Sequence, residues 1–164
     1  MLCRTSKSII LFLIPFSTAL SHDHNFGVGI LAGEPTAATI KIWGPKQTAF
    51  EGAIGASPNY DWRLNYHFGV LFHNFKALTA ENGDLGLYFG IGYRKIVGKF
   101  EGDRESRWGW RTPFGITYLP RNKSLEWFLE LAPILDFAHR DIGISFNASA
   151  GVRFGFRDKR RIGP

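Results

Sequence analysis

Histidine and serine are the residues of this chain that could support nucleophilic catalysis. A deacylase would need a serine hydroxyl beside a histidine that a carboxylate orients. None of the histidines has a serine two positions away on the same strand face, except that Ser21 lies upstream of His24, in the predicted signal. A serine brought close across strands stays an open alternative. The histidines are His22, His24, His67, His73 and His139. This pattern predicts no catalytic residue.

Metal ligands are equally sparse. His67 and His73 share one face of a predicted strand, but six residues of strand separate them by about 20 Å, too far for a single metal ion. His22, Asp23 and His24 have suitable ligand types and would lie at the mature N-terminus once a predicted signal, residues 1–21, is removed; a flexible end makes a weak site. We therefore predict neither a metal site nor a cofactor.

Charged side chains of both signs lie on the strand faces that carry small residues. Buried charges persist when they are paired and hydrogen-bonded. We predict a salt-bridge network that closes the interior, with Glu126 and Glu130 opposite Arg107 and Arg111 on the neighbouring strand. A gated ion path is the alternative to this plug. The inward charges are Lys41, Arg63, Arg94, Arg107, Arg111, Arg153, Glu51, Glu126, Glu130 and Asp136.

Strict alternation of apolar and small or polar residues defines the elements that position these charges. Successive side chains of a strand point to opposite faces, so residues 142–156 form one long amphipathic strand. Pro113 would remove one ladder hydrogen bond and predicts a bulge in the sixth strand. The charged segment 98–106 predicts the longest exposed loop. About eight strands are predicted: His24–Gly33, Ala38–Trp43, Thr48–Ser57, Trp62–His73, Leu85–Arg94, Arg107–Tyr118, Leu125–Phe137 and Ile142–Phe156.

Side-chain volume indicates which face points inward. The interior of an eight-stranded barrel is just wide enough for side chains to fill it. The bulky apolar face would overfill that space, so we expect it to contact lipid. The fold class predicted is all-β, an eight-stranded antiparallel up-and-down transmembrane β-barrel; a soluble lipocalin-like barrel is the alternative. The aromatic girdle at the strand ends comprises Trp62, Trp108, Trp110, Tyr118 and Trp127.

The two ends of the chain differ from its middle. Residues 1–21 are typical of a secretory signal, with Arg4 and Lys7 before a short apolar core, and cleavage after Ser21 or Ala19. Removing them lowers the formal charge from +6 to +4. Residues 22–156 then form the barrel. Residues 157–164 are a basic periplasmic tail, for which we favour solvation over nucleic-acid binding because no aromatic-basic groove accompanies it.

The overall organisation of the chain and its final strand carry a resemblance to a known group of proteins. The signal, a mature length of about 140 residues and the amphipathic strands resemble small outer-membrane barrels of the OmpA/OmpX type. Ser149, Gly151, Phe154 and Phe156 resemble the signal that barrel-assembly machinery reads in a final strand, although here eight residues follow the last aromatic. The resemblance implies a bacterial outer-membrane location after export across the inner membrane, with outer-membrane lipid and that machinery as partners.

Short segments also resemble a bacterial family of small barrel proteins that occurs in spirochaetes among others. This second resemblance implies a fold and a location but no activity. The segments are Gly33-Glu34-Pro35-Thr36, Lys41-x-Trp43, Pro113-Phe114-Gly115-Ile116 and Glu130-Leu131-Ala132-Pro133.

A porin-like cell-envelope protein of this kind is expected to have a structural or surface-interaction role. Residues 98–106 are the candidate contact with an extracellular ligand. Because some eight-stranded barrels modify lipid A, a lipid-modifying enzyme is the alternative from a different class, and a soluble ligand carrier is the third.

Overall fold

The computed structural model describes residues 26–57, 63–100, 103–120, 124–138 and 142–156, and these residues form an all-β structure. This part of the chain contains no helix that could cross a bilayer. The predicted signal (1–21), the basic tail (157–164) and Trp62 lie outside the described residues. The strands are β1 Phe26–Gly33, β2 Thr36–Trp43, β3 Thr48–Ser57, β4 Arg63–Asn74, β5 Gly83–Phe100, β6 Asp103–Arg111, β7 Phe114–Pro120, β8 Leu125–Phe137 and β9 Ile142–Phe156.

All strands belong to one antiparallel sheet that closes into a ring. The first and last strands make the closure, with pairs from Phe26↔Phe156 to Gly33↔Ser149. We call the end of the ring where β1 begins and β9 ends the terminal end, and the opposite end, with the β1–β2 turn, the distal end. The wall is uneven in height, because β1 and β2 have 8 residues each while β5 has 18.

β6 and β7 share a single position in the ring. Both pair with β5 on one side and with β8 on the other, so the nine strands fill eight positions. The predicted sixth strand is therefore divided rather than bulged. Pro113 has no N–H to donate to the ladder. At the break the Thr112 N–H donates to the carbonyl of Pro133 (3.0 Å), and the Gly90 N–H donates to that of Pro113 (2.8 Å).

The prediction of a long loop over residues 98–106 is wrong. β5 continues to Phe100 and β6 begins at Asp103, with Gly98 paired to Glu105. Ladder hydrogen bonds come from the backbone, so a charged composition does not stop strand pairing. This segment is therefore the distal hairpin of β5 and β6.

Burial alternates along the strands and confirms which face points inward. Lys41 on β2 is 0% exposed and Arg153 on β9 is 1% exposed, whereas the outward Leu129 on β8 is 60% exposed. The inward face carries charged, polar and small residues, together with a small apolar cluster. The cluster comprises Leu31, Ala37, Ala49, Ala53, Leu71, Tyr88 and Phe128.

Inward glycines make room for aromatic rings from neighbouring segments. A Cβ on Gly151 would overlap the Phe128 ring, and a Cβ on Gly115 would overlap the Tyr88 ring. A Cβ on Gly86 would likewise overlap the Phe75 ring. These glycines are required for packing, because an interior this narrow cannot hold both a side chain and the facing ring.

Gly151→Ala is expected to destabilise the fold by about 1–3 kcal/mol, because the new methyl group overpacks the interior. It would meet the Phe128 ring and approach the Ile30 carbonyl oxygen to 2.6 Å. Gly143→Ala is the matched control on the same face of β9, where a Cβ meets nothing within 4 Å. Denaturant midpoints of the two variants measure the difference, and equal midpoints would contradict this account.

Candidate functional site

The middle of the ring interior holds six charged side chains that contact one another, which we call the central network. Strand alternation brings them inward from five strands, and each is at most 7% exposed. The network contains three positive and three negative groups, so its formal charge is zero. Its members are Lys41, Arg111, Arg153, Glu51, Glu126 and Glu130.

Arg153 joins the two sides of the network. Its Nη2 donates to Glu51 Oε2 (2.5 Å), its Nη1 to Glu126 Oε1 (3.3 Å) and its Nε to Thr39 Oγ1 (3.2 Å). Lys41 Nζ lies 2.6 Å from the same Glu126 oxygen. The Thr117 hydroxyl also donates to it (2.8 Å). Glu126 is thus held by two cations and a hydroxyl, which offsets much of the cost of burying its charge.

Arg111 completes the network on the β6 side. Its Nη2 lies 2.5 Å from Glu130 Oε1, and its Nη1 lies 3.3 Å from Glu51 Oε1. The Tyr88 hydroxyl donates to the second Glu130 oxygen (3.0 Å). Each carboxylate of the network therefore has at least one cation and one further donor.

A separate ion pair lies closer to the distal end. Arg94 on β5 donates to Asp136 on β8, to Ser145 Oγ (2.9 Å) and to Asn147 Oδ1 (3.0 Å) on β9. The Ser145 hydroxyl also donates to Asp136. This pair is balanced by itself, so it adds no net charge to the interior.

Aromatic side chains pack together toward the terminal end, beside the network. We call Trp43, His73, Phe75 and Tyr88 the aromatic cap. The Trp43 and His73 ring centroids are 4.3 Å apart, and Lys41 Nζ lies 4.1 Å from the Trp43 ring centroid. His73 Nε2 contacts Lys41 Nζ at 2.9 Å. Phe75 comes from the β4–β5 connection, so the cap is built partly from a turn.

The structure forms only one of the two neighbouring-strand pairings predicted for Glu126 and Glu130. Arg111 does contact Glu130. Arg107, however, lies near the distal end beside Trp108, which pairs with Phe137, whereas Glu126 lies at the terminal end of β8. The strand register therefore keeps Arg107 and Glu126 apart, and Glu126 binds Lys41 and Arg153 instead. Arg63 and Arg107 are half-buried on the distal side of the network.

The neutral members of the site were not predicted from the sequence. Thr39, Thr117 and Tyr88 bind the charged groups, and all three alternate in phase with inward residues, so the face assignment could have found them. Phe75 is different, because it lies in a connection where no periodicity applies.

The other predicted site residues are placed at the surface or on the closing strand. Trp108 and Trp110 are exposed toward the distal end, while Trp127 and Tyr118 lie toward the terminal end. Ser149 and Gly151 are in β9 and pair with β1, as does Phe154, which is 62% exposed. The Phe156 backbone also belongs to β9. Their roles as girdle and assembly signal stay predictions.

The arrangement favours charge compensation over reaction chemistry. His73 contacts Lys41 and the Gln47 carbonyl, and His67 Nε2 lies 3.9 Å from Glu51. Among the described residues, no serine hydroxyl binds either histidine. Within the same ranges, no group of three or more histidine, cysteine or acidic residues could hold a metal ion.

Arg153→Met is expected to lower the free energy of unfolding by about 3–5 kcal/mol, because it leaves two buried carboxylates short of a cation. Lys76→Met removes an exposed cation from the β4–β5 connection and is expected to change stability by less than about 0.5 kcal/mol. Chemical denaturation measures both variants. A small effect of Arg153→Met would show that the network contributes little to the fold.

Comparison of the chain with protein families, with curated proteins and with solved structures finds no match.

Proposed function

We propose that the chain is an outer-membrane β-barrel protein whose closed interior suits a structural or surface-interaction role in a bacterial envelope. The observation that carries the proposal is the inside-out distribution of side chains. The ring buries its charged residues and exposes its large apolar ones, which is the reverse of a water-soluble protein. A bilayer around the ring would cover that apolar surface.

The extent of the apolar exterior supports a lipid environment. A soluble monomer rarely exposes a contiguous apolar patch larger than a few hundred Å². Here outward apolar residues occupy successive positions on every side of the ring. Examples on five strands are Ile40, Phe50, Phe68, Phe89 and Leu129, which are 40–60% exposed.

Aromatic residues at two heights support the same proposal. Trp110 in β6 and Tyr118 in β7 face outward at two heights of one ring position, about 25 Å apart along the chain. Rings at this spacing suit the two interfaces of the apolar band of an outer membrane. In this orientation the terminal end faces the periplasm and the distal hairpin faces outward.

The packing of the interior supports a closed lumen rather than a pore. The aromatic cap fills the terminal end, and the central network fills the middle with mutually neutralised charges. The distal hairpin, residues 98–106, remains the candidate for contact with an extracellular ligand. Outer-membrane lipid and barrel-assembly machinery are the partners that this proposal requires.

The alternatives find less support in the geometry. A soluble carrier of apolar ligands would need an apolar interior and a polar exterior. A lipid-modifying enzyme would need a nucleophile beside His67 or His73, and the contacts of both histidines are with the central network.

Fractionation combined with heat-modifiability tests the proposal. Protein from isolated outer membranes should migrate as a compact species on a detergent gel when unboiled and shift after boiling, since closed sheets resist detergent until heated. Recovery of a soluble periplasmic protein without such a shift would reject the outer-membrane proposal.

Leu129→Arg separates a lipid-facing surface from a water-facing one. In a bilayer the substitution should cost about 2–4 kcal/mol, since Leu129 lies midway along β8. In water, replacing a 60% exposed leucine should be nearly neutral. Ala77→Arg, in the exposed β4–β5 connection, is the control. Folding into lipid vesicles is measured for both variants, and equal yields would speak against lipid contact.

A planar bilayer tests the closed interior. The wild-type protein is expected to give no stepwise conductance, because the cap and the network leave no continuous polar path. A triple variant, Trp43→Ala, Phe75→Ala and Glu51→Ala, removes bulk from both layers and should conduct if it folds. Wild-type conductance steps comparable to those of this variant would show that the interior is an ion path rather than a plug.

A further inference from the structure

The last strand extends further toward the distal end than its neighbour β1 and leaves an unpaired edge. β9 and β1 pair only as far as Gly33↔Ser149, after which the Glu34 N–H donates to the Ala148 carbonyl (3.1 Å). On its other side β9 stays paired with β8. Among the described residues, no strand pairs with residues 142–147 on the side of β1. We call this stretch, which is about 17 Å long, the free edge.

Strand alternation aims one set of backbone groups into the space beyond β1. In an antiparallel ladder, the N–H and C=O of one residue point to one neighbouring strand and those of the next residue point to the other. The Ala148 carbonyl points toward β1. The backbone groups of Phe146, Ile144 and Ile142 therefore point the same way, where no described strand meets them. Those of Ser145 point to β8, so the free edge is an unfinished ladder.

The same residues carry exposed apolar side chains. Ile142, Ile144 and Phe146 face outward and are 71%, 73% and 64% exposed, whereas Leu135, which has a strand on both sides, is 42% exposed. Natural sheets usually protect an edge with a charge, a proline or a bulge. Residues 142–147 contain neither a charge nor a proline, so the sequence leaves this edge able to pair.

The shape of the gap beside the free edge selects its occupant. β1 and β2, the two strands that would continue the wall there, are joined by the turn of residues 33–36. Two strand positions are about 10 Å wide, which admits an added strand or hairpin. A second copy of the ring does not fit, because barrel strands tilt by about 35–45° and the facing strands of two copies inserted in one orientation would cross at roughly twice that angle. The fitting occupant is an extended segment of another protein.

We propose that the free edge binds an extended segment of a partner protein as an added strand. The segment forms ladder hydrogen bonds with Ile142, Ile144 and Phe146. Its side chains alternate, with apolar residues beside these three on the outer face and small or polar residues beside Gly143 and Ser145 on the inner face. This binding locates the surface-interaction role proposed above and rests on it. The two fail separately, since fractionation tests the membrane location and strand pairing does not require a bilayer.

Amide hydrogen exchange of the folded full chain in detergent micelles tests whether the edge is open. The Ile144 and Phe146 amides are expected to exchange fast. The Ser145 and Asn147 amides, which point to β8, should exchange slowly, as should that of Val152, which pairs with β1. Slow exchange at Ile144 and Phe146 in the protein alone would mean that the chain itself covers the edge, and would reject the proposal.

A short synthetic peptide of alternating threonine and valine, with a lysine at each end, is the probe for binding. At millimolar concentration it should slow exchange at Ile144 and Phe146 about tenfold or more. Ala77, exposed in the β4–β5 connection, should not respond. Only one alternate set of peptide amides faces β9 in a ladder, so N-methylating either the valines or the threonines should abolish the effect and methylating the other set should not. Absent protection by the unmethylated peptide, or protection that survives both methylations, would overturn the proposal.

Ile144→Pro removes one N–H from the free edge and keeps an apolar side chain. Proline is tolerated on an edge strand, and this N–H has no partner among the described strands, so the denaturant midpoint should stay close to that of the wild type. Peptide affinity should fall about tenfold or more, because a ladder hydrogen bond is lost and the ring occupies the space of the added strand. Ile144→Val keeps the N–H and is the matched control, with wild-type affinity expected. Should Ile144→Pro fail to fold, Ile142→Pro is measured in the same way. Unchanged peptide affinity in a folded proline variant would contradict pairing at this edge.

Discussion

Charge balance inside a narrow ring is the constraint on which the rest of the structure depends. Eight strand positions leave room for side chains but little for water. A fully buried inward charge must therefore find an opposite charge among the residues that face it, because an unpaired buried ion is too costly to keep. Lys41, Arg111 and Arg153 neutralise Glu51, Glu126 and Glu130, and Arg94 neutralises Asp136. Small inward residues elsewhere follow from the same limit on volume.

This constraint explains why the interior is layered. Aromatic rings need glycine opposite them, so Phe75, Tyr88 and Phe128 lie where Gly86, Gly115 and Gly151 give them room. The rings in turn contact the cations above them: Lys41 lies over Trp43, and Arg153 lies over Phe128 at 3.8 Å. Such cation–π contacts stabilise charges that have left water. The cap and the network are therefore one packed unit, and loosening either exposes the other.

Strand positions could be predicted from the sequence because alternation is a local property. The predicted bounds of β3, β8 and β9 agree with the structure. The division of β6 from β7 was harder to predict, because the effect of Pro113 depends on Pro133 and Gly90 from other strands. Contacts across the ring were harder still to predict. Lys41 reaches Glu126 from β2 to β8, and Glu51 reaches Arg153 from β3 to β9, which are not neighbouring strands. Such pairs depend on strand tilt and stagger, which local sequence does not encode.

The two halves of the interior differ in a way that gives the molecule a direction. The terminal half is packed with rings and paired charges, whereas the distal half keeps buried polar atoms without hydrogen-bond partners. Neither side-chain amide atom of Asn65 has such a partner, so a leucine of similar volume in its place would remove buried polar atoms without losing a hydrogen bond. Stability alone therefore does not account for an asparagine at this position.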